Sequence, residues 1–208
     1  MNEIEIKEHY QNLFAEEGIS PKAIQWPDTC SQQKRFEILT SIEVDLGSVL
    51  DVGCGLGDLR TFLRERNFDG EYIGIDIVPE FIDFANKQTK QDKKSQFILM
   101  DSKNKLPSGC DYAIVSGMFN NYRSDSLSFM KTYLSDLFSV SNQGIAFNAL
   151  STYVDYKEPH LSYVDPLDIF KFCKEELGGF PVLKHNYLLK EDGYPYEFTI
   201  FLYKQPRF

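Results

Sequence analysis

The segment Val49-Leu50-Asp51-Val52-Gly53-Cys54-Gly55-Leu56-Gly57-Asp58 decides how this 208-residue chain is read. A short apolar strand runs into a glycine-rich turn, and the pattern predicts a helix starting at about Asp58. Glycines leave bare backbone that a ligand can approach, and they tolerate positive φ. The dinucleotide fingerprint G-x-G-x-x-G would need glycine at position 58, where this chain carries Asp58. A carboxylate beside that helix N-terminus also disfavours a pyrophosphate. A nucleoside without phosphates fits better, with Asp51 or a neighbouring carbonyl placed to receive a cationic amino group.

Outward from the loop, short apolar runs alternate with helix signals. Strands are predicted at Ser48–Val52, 72–76, 96–100, 112–116 and 145–149, and near-continuous apolar runs suit parallel strands covered on both faces. Pro79 suits a first helical turn, followed by a Phe81, Ile82 and Ala85 stripe. Ser124 is the expected cap of a helix with Leu127, Met130, Leu134, Leu137 and Phe138 inward. Asp165-Pro166 opens another, with Phe170, Cys173 and Leu177 on one face and Gly178-Gly179 at its end. Segments 182–188 and 197–203 flank a turn containing Asp192-Gly193 and Pro195, and are read as a hairpin. Before the first strand, 4–16 reads as a helix with Ile6, Tyr10, Leu13 and Phe14 on one face. Gly18, Pro21 and Pro27 break the chain, and 31–42 reads as a second helix with Phe36, Leu39 and Ile42 inward. The expectation is an α/β, three-layer doubly wound sheet (46–208) preceded by an N-terminal helical cap (1–45).

Further acids fall in register behind the glycine loop. Asp76 ends the second strand, 19 residues beyond Gly57, where a carboxylate can accept from both ribose hydroxyls. Asp101, with Ser102 beside it, ends the third strand and can accept from an adenine amino group. Ile77 and Phe81 can flank the purine.

Asp51-Val52-Gly53-Cys54-Gly55-Leu56-Gly57 resembles motif I of the class I SAM-dependent methyltransferases, and Gly74-Ile75-Asp76-Ile77 resembles that family's second-strand motif. The likeness runs from about Ser48 to Tyr203. It implies a seven-stranded sheet with the last strand antiparallel, and S-adenosyl-L-methionine (SAM) lying across the C-terminal edges of the first strands, leaving S-adenosylhomocysteine as product. The stretches Ser116-Gly117-Met118-Phe119-Asn120, Tyr153-Val154-Asp155-Tyr156, Tyr163-Val164-Asp165-Pro166 and Tyr196-Glu197-Phe198-Thr199 resemble a less characterised bacterial subgroup of small-molecule methyltransferases.

Methyl transfer is an in-line displacement, so the protein chiefly aligns the acceptor and excludes water. Ser116, Gly117 and Met118 are expected near the donor's sulfur. Phe119, Asn120, Asn121 and Tyr122 in the next loop, with Tyr153 and Tyr156 after the fifth strand, are the expected acceptor contacts. His160 is the base candidate, the one histidine of three placed in an acceptor loop; the alternative is an ordinary surface histidine. His9 belongs to the first helix and His185 to a strand. Tyr10, Trp26 and Arg35 are candidate cap residues over the donor; Arg35 either reaches the donor carboxylate or an acidic substrate, or is an exposed helix arginine.

Absences narrow the acceptor. No [D/N]-P-P-[Y/F] follows the fourth strand, and no Pro-Cys pair supplies a cytosine C5 nucleophile. The net charge of −9 opposes a phosphate-backbone footprint. An oxygen or nitrogen of a small molecule is therefore the expected acceptor, with no nucleic-acid partner. Methylation of protein or RNA, or a catalytically silent SAM-binding module, are the alternatives. Cys30, Cys54, Cys110 and Cys173 lie far apart, which suggests neither a metal site nor a disulfide framework and suits a reducing cytoplasm. The polar, acidic start is no signal peptide, and no apolar run is long enough for a membrane span. No oligomeric state follows from these features.

Overall fold

The computed structural model describes residues 1–208 except 27, 102, 103, 192, 195 and 208, and residue 21 by its backbone alone. Pro27, Ser102, Asp192 and Pro195, all singled out above, thus lie outside the described residues. The helices are α1 (Glu3–Glu17), α2 (Thr29–Thr40), α3 (Asp58–Glu65), α4 (Pro79–Gln88), α5 (Ser126–Val140) and α6 (Pro166–Lys171). A 3-10 turn (Pro21–Ile24) follows α1, and α6 runs into a π-helical turn (Phe172–Glu176). The strands are β1 (Ser48–Val52), β2 (Glu71–Asp76), β3 (Ser95–Leu99), β4 (Tyr112–Val115), β5 (Gly144–Ser151), β6 (Tyr163–Val164), β7 (Phe180–Lys184) and β8 (Glu197–Tyr203).

The sheet order is β3-β2-β1-β4-β5-β8-β7, with β6 added onto the end of β5. Strands β1 to β5 pair parallel, whereas β8 is antiparallel to both β5 and β7. The expected mostly parallel, seven-stranded sheet with an antiparallel last strand therefore holds. The eighth strand was not anticipated, because Tyr163–Val164 is too short to show any periodicity and pairs only with Leu150 and Ser151.

Side-chain alternation divides the core between the two faces of the sheet. Leu50, Val115, Phe147 and Leu202 face a cluster containing Met130, Leu134 and Leu137 of α5 and Ile169 of α6. Their neighbours Val49, Ile114, Ala146 and Phe201 face Phe36 and Leu39 of α2, Phe62 of α3 and Ile82 of α4. Helix α2 thus packs in the sheet's own helical layer. Helix α1 buries no residue completely; Tyr10 and Phe14 meet the Phe81 ring edge-on, at 6.2 and 5.6 Å between centroids. The Gln11 amide donates to Glu80 at 2.8 Å, and the N-terminal amine donates to the Tyr122 carbonyl at 2.9 Å. The helix therefore spans the sheet's C-terminal edge from α4 to the loop after β4.

Three local expectations are corrected. The last hairpin's first strand ends at Lys184, where its register with Thr199 runs out, and not at residue 188. Helix α5 is entered from Asp125, not Ser124, with Ser126 Oγ accepting from the Arg123 N–H at 2.9 Å. Leu127, in the first turn of α5, is exposed and not part of its inner stripe.

Candidate functional site

Adjacent parallel strands whose connections depart over opposite faces leave a crevice at their C-terminal ends. Here β1 and β4 are those neighbours, and α1 with its following turn roofs the crevice into a cavity of about 660 Å³. The glycine loop forms its floor. Gly53 and Cys54 donate to the Ile75 carbonyl at 2.9 and 3.0 Å, which ties the loop to β2. Asp76 completes the tie: its Oδ2 accepts from the Gly55 N–H at 2.9 Å and its Oδ1 from the Val78 N–H at 3.0 Å. A carboxylate so used still has lone pairs to accept from a ligand. Two glycines differ in their reason for being there. Gly55, at φ +52°, faces the cavity roof, where a Cβ would stand 3.2 Å from Ile24; Gly57 makes room for the Phe97 ring behind the loop.

The electrostatics of this floor are those of buried acids. Asp51 is 3% exposed and accepts a hydrogen bond from the Tyr72 hydroxyl. Burial pushes its carboxyl up to about 7 against the lowering effect of that bond, with Asp76 and Asp58 adding repulsion. Burial likewise raises Asp76 and Asp58, opposed by the backbone N–H groups on the former and by Gln32, 2.8 Å away, on the latter. A cation bound here would be stabilised by three carboxylates in a low-dielectric pocket. Ile77, Phe81 and Asp101 line the same end of the cavity. Asp101 exchanges hydrogen bonds with Asn104, its N–H donating at 2.8 Å and its Oδ1 accepting at 3.1 Å.

Beyond β4, Ser116, Gly117 and Met118 line the cavity, and Gly117 adopts φ +74°. Ser116 Oγ and Asn120 Oδ1 are buried with no hydrogen-bond partner among the described residues, polar atoms that such burial ordinarily pairs. Asn120 and His160 line the cavity as expected, His160 as an exposed side chain. The other four expected acceptor contacts do not line it. Phe119 is 6% exposed and packs edge-on against Phe129 and Phe147, so the turn after Met118 drives it into the core. Tyr122, Tyr153 and Tyr156 are all more than half exposed on the outer surface. Asn121 lines it as well, and the places of the four are taken by Arg123 and by Phe129, Thr132, Tyr133 and Asp136 of α5. Those α5 positions repeat at helical spacing beside the core stripe, a signal the sequence does carry.

The cap residues also reach the cavity. Tyr10 accepts from the Asn121 amide at 2.9 Å, and burial pushes its hydroxyl up to about 12. Trp26 and Arg35 line the wall. Arg35 is neither exposed nor available as a free cation: it is 4% exposed, and its Nε donates to Glu197 at 2.9 Å. Of the remaining histidines, His9 bonds Gln25, and His185 sits one residue past β7 against Phe198 and Tyr153. The four cysteines are unpaired, and among the described residues no cluster of three or more His, Cys, Asp or Glu could hold a metal ion.

A family model described as "Methyltransferase domain" matches residues 43–162. "Putative methyltransferase Rv1506c" of Mycobacterium tuberculosis is 31% identical over 163 residues, covering 76% of this chain and 93% of that protein. Among solved structures, the magnesium protoporphyrin IX methyltransferase of Synechocystis with bound SAH superposes with TM-score 0.68 at 13% identity, over 95% of this chain and 94% of that one. A SAM-dependent methyltransferase from Aquifex aeolicus gives TM-score 0.64 at 18% identity, over 88% and 96% of the respective chains. At these identities the two structures speak for the fold.

Proposed function

Because this chain belongs to the class I SAM-dependent methyltransferases, we propose that it transfers a methyl group from SAM to an oxygen or nitrogen of a small molecule. The observation that carries the acceptor class is the roofed cavity. Its volume of about 660 Å³ falls within the range of small-molecule sites. Helix α1 crosses its mouth, where a polymer substrate would need an open groove. The chain's net charge of −9 opposes an RNA acceptor in the same way. Among the described residues no helix is long and apolar enough to cross a membrane, and unpaired cysteines suit a reducing cytoplasm.

The residues present fit the donor. SAM supplies a methyl on a sulfonium, already activated for displacement. Asp76 holds the ribose hydroxyls with the lone pairs its two backbone bonds leave over. Asp51 takes the amino-acid ammonium, Ile77 and Phe81 flank the purine, and Asp101 accepts from the adenine amino group. Gly53 and Gly55 shape the floor, with Gly57 packed behind it against Phe97, and Ser116, Gly117 and Met118 border the reacting end, where the orphaned Ser116 Oγ gains a partner. Asn120, Asn121 and Tyr133 orient the acceptor, and His160 at the rim takes up the acceptor's proton.

Two expected outcomes test these roles. Donor affinity should rise with pH through about 7, as Asp51 gives up its proton to meet the ammonium. The unliganded protein should show the opposite trend from this group. Its raised carboxyl keeps a proton that the unfolded chain releases, so the stabilisation is complete at low pH and is lost as pH rises through about 7. Calorimetric titrations across that range check the first and urea melts the second. Incubation with methyl-labelled SAM and a metabolite extract should label a small molecule; label on protein or RNA alone would replace the acceptor class. With that acceptor, His160→Gln should lower turnover by about 10²–10⁴-fold at unchanged donor affinity; wild-type turnover would remove His160 from the chemistry.

A further inference from the structure

Five contacts close a ring at the inner wall of the cavity. The Gly117 N–H donates to Asn148 Oδ1 at 2.7 Å, Asn148 Nδ2 donates to Glu197 Oε1 at 2.8 Å, and Arg35 Nε donates to Glu197 Oε2 at 2.9 Å. The Arg35 guanidinium lies over the Trp26 ring, 4.2 Å from its centre. That ring in turn lies against Gly117, where an added Cβ would come within 2.4 Å of it. The members come from the segment after the 3-10 turn, from α2, from the end of β4, from β5 and from β8. Arg35 and Glu197 are 4% and 1% exposed, and Asn148 is fully buried. Charges so buried are expensive to desolvate, and apolar side chains of similar volume are often as stabilising. What apolar replacements would not supply is a fixed geometry.

We propose that Arg35 is a positioning residue for methyl transfer, acting through Glu197 and Trp26 to hold the indole against Gly117 as the wall over the donor's reacting end. The proposal rests on the SAM reading given above. Only a planar guanidinium can donate in its own plane to Glu197 while presenting a face to the indole; a lysine ammonium keeps the charge and loses both geometries. The Asn148 branch fixes the Gly117 amide from the other side, so the spacing between Trp26 and the end of β4 is set by one connected unit. Breaking the unit frees Trp26 to swing and speeds loss of the donor.

Trp26 is the single tryptophan of the chain, so fluorescence excited at the red edge, where tyrosine does not absorb, reports on it alone. The full chain is titrated with S-adenosylhomocysteine while Trp26 emission and acrylamide quenching are followed, with calorimetry and a melting temperature on the same samples. In the wild type, saturation should shift the emission and reduce quenching. Arg35→Lys should leave Trp26 more readily quenched in the free protein and weaken S-adenosylhomocysteine about tenfold. Gly117→Ala should likewise expose Trp26, because its Cβ displaces the ring. Calorimetric binding without any Trp26 response, or Arg35→Lys with wild-type quenching and affinity, overturns the proposal and leaves the SAM reading standing. No binding by the wild type removes the SAM reading and the proposal with it. Should Arg35→Lys fail to fold, Glu197→Gln, which keeps the side chain's shape and removes the charge that holds Arg35, takes its place: raised Trp26 quenching supports the proposal, and wild-type quenching and affinity overturn it.

Discussion

Glu197→Ala is expected to lower folding stability by about 3–5 kcal/mol, because it strands the Arg35 guanidinium inside the protein. Glu197 opens β8 and is 1% exposed; its carboxylate accepts from Arg35, from the Asn148 amide and from the Tyr187 hydroxyl at 3.2 Å. Removing it leaves the Arg35 Nε–H and the Asn148 amide short of an acceptor, the first of them charged, while the Tyr187 hydroxyl keeps Thr199 Oγ1 at 2.9 Å. The Trp26 face offers the cation partial relief, not a hydrogen bond. An exposed pair such as Lys34–Glu37 contributes about 0–1 kcal/mol by comparison. Urea unfolding measures the difference. Replacing Arg35 and Glu197 together by apolar residues should recover much of the loss, since the penalty lies in the unpaired charge. A loss below about 1 kcal/mol would mean that the pair is solvated like a surface one.

Gly55→Val should remove SAM binding from the calorimetric range while the fold survives. The position needs φ +52°, which β-branched L residues resist. The new side chain would also meet Ile24 of the roof, and relief of either strain moves the N–H that Asp76 holds at 2.9 Å. Loop, ribose acceptor and roof are thus disturbed by one substitution. Far-UV circular dichroism should remain that of the wild type. Affinity retained within about tenfold would mean that the loop does not carry the donor.

The parts legible in the sequence are those with local signatures. The alternation of Val49 with Leu50 and of Phe201 with Leu202 reports two buried faces, and the 51–57 turn with Asp76 behind it reports the floor of the cavity. Asp51, Asp76, Ile77, Phe81 and Asp101 all line the cavity on that basis. The acceptor side was less legible because a loop has no period to say which way a side chain points. Phe119 falls into the core, while Tyr122, Tyr153 and Tyr156 face outward. The Arg35–Glu197 pair spans 162 residues and has no pattern of its own; it exists only once α2 lies beside β8. Helix α5 carries two stripes one residue out of phase, and the stronger apolar one, Met130-Leu134-Leu137, conceals the Phe129-Tyr133-Asp136 face that lines the cavity.

The most direct measurement is calorimetric titration of the wild-type chain with SAM and, separately, with NAD. Saturable SAM binding at one site per chain, lost in Gly55→Val, with no heat from NAD, is the predicted result. NAD binding without SAM binding would contradict the account, since it would put a pyrophosphate where Asp58 and the buried carboxylates of the floor demand a cation.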